Sequence, residues 1–306
     1  MEDSALLAEL AHVAEANLER HITASKPWYP HTLVPWSRGR DFEADYEWHP
    51  EEAMVPAPVR AAMYVNLLTE DNLPYYFRDI HRMYGYGDGA WAEWTRRWTA
   101  EEGRHAMVIR DYLTVTRSID PVWLEEGRMA QVQSGQVPEP PTAKHGFAYL
   151  SLQELATRIA HRNTGKMIDD RAGYEVMARV ASDENHHFLF YRDMAKAALE
   201  VDPNGMMAAI ADEVSGFAMP GTGIPNFSEH SKAIAQAEIY DLVQHYEQIL
   251  VPVVLRHWDI ENLTGLDATG EEARAKAIKY ISKVERAAKR LKSRRAEKVA
   301  QVESLM

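Results

Sequence analysis

Two short stretches repeat one pattern. "EEGRH" (101–105) and "DENHH" (183–187) each carry an acid followed by Glu-x-x-His, giving the pairs Glu102/His105 and Glu184/His187. Residues i and i+3 share a helix face a few ångströms apart, so each helix can aim one carboxylate and one imidazole at the same point. Two further glutamates sit in apolar helical sequence, Glu70 in "YVNLLTEDNLPYY" and Glu154 in "AYLSLQELATRIA". Glu70 precedes Glu102 by 32 residues and Glu154 precedes Glu184 by 30, so the chain uses a helix pair twice. No other feature restricts the fold as strongly. Carboxylates set among leucines are tolerated only where positive charge compensates them, and here that requires four helices to face one another.

A Glu from each of two helices, with Glu-x-x-His from the other two, is the ligand set of ferritin-like di-metal carboxylate proteins. The four carboxylates of this set carry four negative charges, which two divalent iron ions would balance. Oxygen and imidazole donors suit iron. The chain has no cysteine, which excludes disulfides, Cys-ligated zinc, iron–sulfur clusters and a Cys nucleophile. The expected metal ligands are Glu70, Glu102, His105, Glu154, Glu184 and His187. Metal-bound histidines commonly donate their other N–H to a carboxylate. The pseudo-symmetry assigns Asp183 to His105 and Glu101 to His187, with Arg104 neutralising these acids. His186 lies about 100° around the helix from His187 and is not expected to be a ligand.

The rest of the sequence is consistent with an all-α chain. Alternating strand patterns are absent and helical periodicity dominates. It predicts helices at about 3–22, 51–82, 88–116, 121–134, 145–165, 167–199, 203–217, 229–259 and 267–300, with a kink near Pro74. Asp202 is placed to cap a helix that starts at Pro203. The Pro- and aromatic-rich stretch at 24–52 reads as extended chain along the surface. The organisation expected is a single domain over 1–306, with a four-helix core at about 51–200 and flanking C-terminal helices at about 203–300. No apolar run approaches the roughly 20 residues of a membrane-spanning helix. The acidic amphipathic N-terminus is unlike a signal peptide, so a cytoplasmic location is expected. A net charge of −12 argues against general nucleic-acid binding. The charge is uneven: residues 274–298 hold eleven Lys/Arg against two Glu. That basic helix could meet an acidic partner, or be an ordinary solvated surface.

The stretches "TEDNLP" (69–74), "WTAEEGRH" (98–105), "SLQELATRIAHRNTGK" (151–166) and "DENHH" resemble, in order and spacing, the soluble acyl-acyl carrier protein desaturases of plant plastids and actinobacteria. "KPWYPHTLVPW" and "RDYLTVTRSIDP" bring the actinobacterial members nearer. The resemblance implies a di-iron enzyme that uses O2 to place a cis double bond in a saturated acyl chain. The chain would be carried as a thioester on acyl carrier protein, with electrons from a ferredoxin-type donor, and the enzyme would be a homodimer. It also implies the six ligands above, a threonine beside the cluster at Thr157, and an electron-entry tryptophan at Trp36 coupled to Asp183 and His105. Helix back-bonding is the competing role for Thr157. The family's usual asparagine in "EENRH" is Gly103 here.

Other readings share parts of this pattern. A di-iron hydroxylase or N-oxygenase would use the same ligands. A radical-generating ribonucleotide reductase subunit would usually carry a tyrosine one turn beyond the first ligand histidine, where this chain has Ile109. Iron-storage chains of the ferritin type are much shorter. A non-catalytic di-metal helical protein is disfavoured by six intact ligands.

Overall fold

The computed structural model describes residues 1–221 and 223–304, and among these every regular element is helical. In chain order the α-helices are α1 (Asp3–Glu9), α2 (Ala11–Ala24), α3 (Pro30–Leu33), α4 (Ala57–Glu70), α5 (Leu73–Tyr84), α6 (Ala90–Val115) and α7 (Pro121–Ser134). They continue with α8 (Ala143–Lys166), α9 (Arg171–Val201), α10 (Pro203–Gly216), α11 (Phe227–Gln236), α12 (Leu242–His245) and α13 (Ala268–Glu303). A π-helical segment, Tyr246–His257, follows α12.

Helices α4, α6, α9 and α8 pack in a ring, each against two of the others, and form the expected four-helix core. Local sequence sets their ends. Asp120, Thr142, Asp170 and Asp202 each accept a backbone N–H from the first turn of the helix they precede. Gly135 stops α7 in the left-handed conformation, with φ 61°. Among the described residues no helix is long and apolar enough to cross a membrane.

Three predicted helices are broken. The span 51–82 is α4 and α5, because Pro74 has no N–H for the Glu70 carbonyl and the chain turns at Asp71–Asn72. The span 3–22 breaks at Leu10. The span 229–259 becomes α11, α12 and the π-helical segment, where Glu238 takes φ 60° and Pro252 removes a donor. The stretch at 24–52 is not simply extended: it contains α3 and buries Trp28 and Val34.

Two apolar clusters fill the interior. One gathers Trp94, Trp98, Phe147, Phe190, Met194 and Trp258. The other gathers Tyr64, Leu67, Val108, Tyr112, Val176 and Val180. Trp94 and Phe190 stack with centroids 3.6 Å apart, and the Trp94 indole donates to the Tyr191 hydroxyl at 3.1 Å. Both α6 and α9 run through the two clusters, and their Glu-x-x-His pairs fall at the crossover. Trp98 and Val108 flank Glu102/His105, and Val180 and Phe188 flank Glu184/His187. Burial on both sides, worth about 1.5–3 kcal/mol for each large apolar side chain, holds this polar layer in place.

Candidate metal centre

The four core helices bring six side chains into that layer. Glu70 comes from the last residue of α4, Glu102 and His105 from α6, Glu154 from α8, and Glu184 and His187 from α9. All six are buried. They form two quartets whose candidate ligand atoms lie within 4.8 Å of one another: Glu70, Glu102, His105 and Glu184 in one, and Glu102, Glu154, Glu184 and His187 in the other. Glu102 and Glu184 belong to both, so two ions held there would share these carboxylates.

The Nδ1 atoms of both histidines face the cage. His105 Nδ1 lies 3.4 Å from Glu102, 3.6 Å from Glu184 and 3.7 Å from Glu70. His187 Nδ1 lies 2.8 Å from Glu102 and 3.7 Å from both Glu154 and Glu184. Both Nδ1 atoms, Glu102 Oε1 and Glu184 Oε2 are buried without an aligned hydrogen-bond partner. Unpartnered polar atoms of this kind are costly in a packed interior, and their convergence fits a pair of cations.

Electrostatics gives the same reading. Burial, together with the charges of Glu102 and Glu154, pushes the Glu184 carboxyl up to about 8. Burial also raises Glu102, with His105 opposing and the charge of Glu70 reinforcing the rise. Glu70 is held well below the usual carboxylate range, because hydrogen bonds from His105 and His161 overcome its burial. The surrounding carboxylates overcome burial at His105 and His187 and hold both well above the ordinary imidazole value. Four carboxylates this close persist only by sharing positive charge, which protons or metal ions can supply.

A second set of side chains fixes the first. His187 Nε2 donates to Glu101 Oε2 at 3.0 Å. His105 Nε2 lies 3.5 Å from Asp183 Oδ2 without an aligned hydrogen bond, and that oxygen accepts from Arg104 at 3.0 Å. His186 is half-buried against His21.

The tryptophan beside Asp183 is Trp28, not Trp36. Trp28 is 6% exposed, and its indole N–H donates to Asp183 Oδ2 at 2.7 Å. Its ring stacks with His105 at 6.4 Å between centroids and carries the Arg104 guanidinium at 4.7 Å. Trp36 is 50% exposed and donates to the His31 carbonyl at 3.0 Å, so the coupling expected of it is absent. The turn of α3 carries it away from the bundle. The Thr157 hydroxyl donates to the carbonyls of Glu154 at 3.0 Å and Gln153 at 3.2 Å, the back-bonded geometry.

Sequence reasoning missed three further side chains. His161 is buried, with Nε2 3.2 Å from Glu70 Oε1 and 3.5 Å from Glu184 Oε1, and Nδ1 3.2 Å from the Asn66 amide. Burial opposes its charge, but Glu184 and Glu70 carry it up to about 9. It stands seven residues after Glu154, two turns along the same face, which is a readable signal. The Trp98 indole donates to Glu154 Oε1 at 3.0 Å. His21, on α2, reaches Glu101 at 2.9 Å, and nothing in its local sequence marks this contact.

A cavity of about 150 Å³ opens beside the cage. Its walls include Thr69, Glu70, Thr157 and His161 at the cage end, and Met219, Ile234, Ile239 and Tyr240 farther out. A second cleft reaches Glu70 past Leu73 and Gly103.

Comparison with known proteins agrees with this geometry. The profile of the family described as fatty acid desaturase matches residues 2–305. A Mycobacterium tuberculosis protein named as an acyl-[acyl-carrier-protein] desaturase, DesA1, is 42% identical over 292 residues, covering 91% of this chain and 86% of its own. The chloroplastic stearoyl-[acyl-carrier-protein] 9-desaturase of Spinacia oleracea is 30% identical over 310 residues, covering 95% of this chain and 76% of its own. The X-ray structure of DesA2 from M. tuberculosis, titled as an acyl-ACP desaturase, superposes with a TM-score of 0.71. That match has 25% identity and covers 88% of this chain and 99% of the other.

Proposed function

The chain belongs to the fatty acid desaturase family, and from that premise we propose that it desaturates a saturated fatty acyl chain carried on acyl carrier protein. Two hydrogens leave adjacent methylene groups as a cis double bond forms. One O2, two electrons and two protons from solution complete the balance, giving two waters. Two iron ions would supply the O2 chemistry. The electrons come from a ferredoxin-type donor, and a homodimeric, cytoplasmic enzyme belongs to the same reading.

The observation that carries this proposal is the pair of buried quartets sharing Glu102 and Glu184 beside an apolar-walled cavity. Glu70 and His105 would complete the first ion's ligands, and Glu154 and His187 the second's. Glu101 holds the His187 ring through its Nε2 hydrogen bond, and the Asp183 carboxylate faces His105 Nε2 at 3.5 Å. His161 and Trp98 orient the two unshared carboxylates, Glu70 and Glu154. Met219, Ile234 and Ile239, on the outer walls of the cavity, would keep water from the acyl chain and set how far it reaches toward the cage. Thr157 borders the cavity with lone pairs free to accept from a ligand there, although its proton is committed to the helix. Trp28, Asp183 and His105 form a buried series of side chains that runs from the 24–52 stretch to the cage. We therefore place electron entry at Trp28.

Mass spectrometry tests the reading directly. Stearoyl-acyl carrier protein is incubated with iron-loaded protein, O2 and a reducing ferredoxin system. Loss of two hydrogen masses is expected. Gain of one oxygen mass would instead establish a hydroxylase, and an unchanged mass across several chain lengths would refute both.

A further inference from the structure

Helix α13 carries more positive charge than the fold uses. Its buried stripe of Ala277, Ile281, Val284 and Ala288 seats it against α10, α12 and the π-helical segment. Cations at the edges of that stripe are paired: Lys276 with Asp212, Lys289 with Glu285, Lys292 with Glu247, and Arg295 with Asp241. On the opposite face stand Lys279, Lys283, Arg286, Arg290 and Arg294, all exposed. Among the described residues none of these five lies within salt-bridge distance of an acid.

Their spacing of four, three, four and four residues keeps them on one helix face. At about 1.5 Å per residue the stripe is roughly 22 Å long, ending near Glu272 on one side and Glu297 on the other. Solvated helices usually gain stability by placing opposite charges at i,i+4. Here Lys279/Lys283, Arg286/Arg290 and Arg290/Arg294 are like-charge i,i+4 pairs, each unfavourable to the isolated helix. The arrangement occurs in a chain of net charge −12.

The C-terminal end of the stripe meets the rim of the cavity. Arg295, adjacent to Arg294, donates to the Ala235 carbonyl at 2.8 Å and pairs with Asp241. Ile239 and Tyr240, within that same 235–241 segment, line the cavity that leads to Glu70, Thr157 and His161. We infer that the exposed face of α13 docks the acidic surface of the acyl carrier protein and delivers its attached acyl group to the cavity at Tyr240. This rests on the desaturase reading above. An acidic electron donor is the less suitable occupant. The Trp28 entry point packs against α6 and α9, through Arg104 and Asp183, whereas α13 packs on α10, α12 and the π-helical segment.

The test uses fluorescently labelled stearoyl-acyl carrier protein and the metal-loaded full chain. The double variant Lys283→Glu/Arg290→Glu should raise Kd at least tenfold at 50 mM salt and flatten its dependence on salt between 50 and 300 mM. The neutralising pair Lys283→Gln/Arg290→Gln should raise Kd several-fold, which guards against misfolding of the reversed variant. The swap Lys283→Arg/Arg290→Lys should bind like the wild type. The control Arg162→Glu/Lys166→Glu, with the same charge change on α8, should leave Kd within twofold.

Several results would overturn the docking face. These are an unchanged Kd in the reversed and neutralised variants, an equal loss in the α8 control, or weakened binding of reduced ferredoxin in place of the carrier. Failure of the wild-type protein to bind acyl carrier protein with any acyl chain would instead refute the desaturase reading on which the inference rests.

Discussion

Replacing Trp28 by Phe tests the tryptophan that lies beside Asp183, where the sequence points to Trp36. Phe keeps an aromatic ring between Arg104 and His105 but deletes the N–H that reaches Asp183 at 2.7 Å. Asp183 still accepts from Arg104 at 3.0 Å, so the carboxylate is not stripped bare. Losing a hydrogen bond to a charged group costs about 1.5–3 kcal/mol, and the retained partner argues for the lower end. The smaller ring leaves a void worth about 1 kcal/mol more. Metal-free Trp28→Phe should therefore lose about 2–3 kcal/mol in urea unfolding. Because Asp183 is the carboxylate that faces His105 Nε2, the variant should also bind Co2+ about 10- to 100-fold more weakly, followed by the visible absorption of the bound ion. Trp36 is half-exposed and its indole bonds only to the His31 carbonyl, so Trp36→Phe should stay within about 0.5 kcal/mol and leave Co2+ affinity unchanged. A Trp28→Phe protein with wild-type stability and Co2+ affinity, or a larger loss at Trp36, would show that the Trp28–Asp183–His105 chain does not support the cage.

Three further outcomes follow from the geometry. A Cβ at Gly103 would meet only Leu73 Cδ2 at 3.8 Å, so Gly103→Ala should stabilise α6 by about 1 kcal/mol; a loss of stability in thermal unfolding would mean the glycine is structurally required. Glu154→Ala should lower iron from two per chain to one or none by elemental analysis, and two irons retained would remove Glu154 from the ligand set. Burial first, and Asp212 second, push the Glu213 carboxyl up to about 7. Its folded value exceeds its unfolded one, so the folded state binds that proton more tightly, and stability falls as pH rises through the window from 4.5 to 7. Glu213→Gln should match the wild type near pH 4 and exceed it by about 1–2 kcal/mol at pH 8, after allowance for partial exposure. Equal urea midpoints at both pH values would contradict this.

Much of this molecule can be read from periodicity and ligand chemistry. Of the six residues brought together in the cage, four are marked by the Glu-x-x-His spacing, because i,i+3 geometry is local and helices preserve it, and Glu70 and Glu154 stand out as single carboxylates in apolar helical sequence. The four-helix core was legible for the same reason, through apolar faces at helical spacing. Legibility ended wherever geometry depended on a non-repeating turn. Trp28 and Trp36 sit in one Pro-rich stretch, and only the path through Pro30–Leu33 decides which of them turns inward. His21 becomes a partner of Glu101 only once α2 lies against α6 and α9. The break of 229–259 falls at 237–241, where Glu238 takes φ 60° within a sequence that gives no glycine to mark the turn, and Pro252 lies inside the π-helical segment that follows. His161 differs, since its i+7 relation to Glu154 was visible but its contact with Glu70 on another helix was not.

The end of α4 has a mechanical consequence for the cage. Glu102, Glu154 and Glu184 each stand well inside helices that run on for several turns to either side. Glu70 is the final residue of its helix, followed by a two-residue turn before α5. Helix termini lack part of the hydrogen bonding that stiffens the interior and open more readily. Three corners of the cage are thus mounted on rods and the fourth on a joint. Any change in the size or charge of what the cage holds will be taken up first at Glu70, where the backbone resists it least.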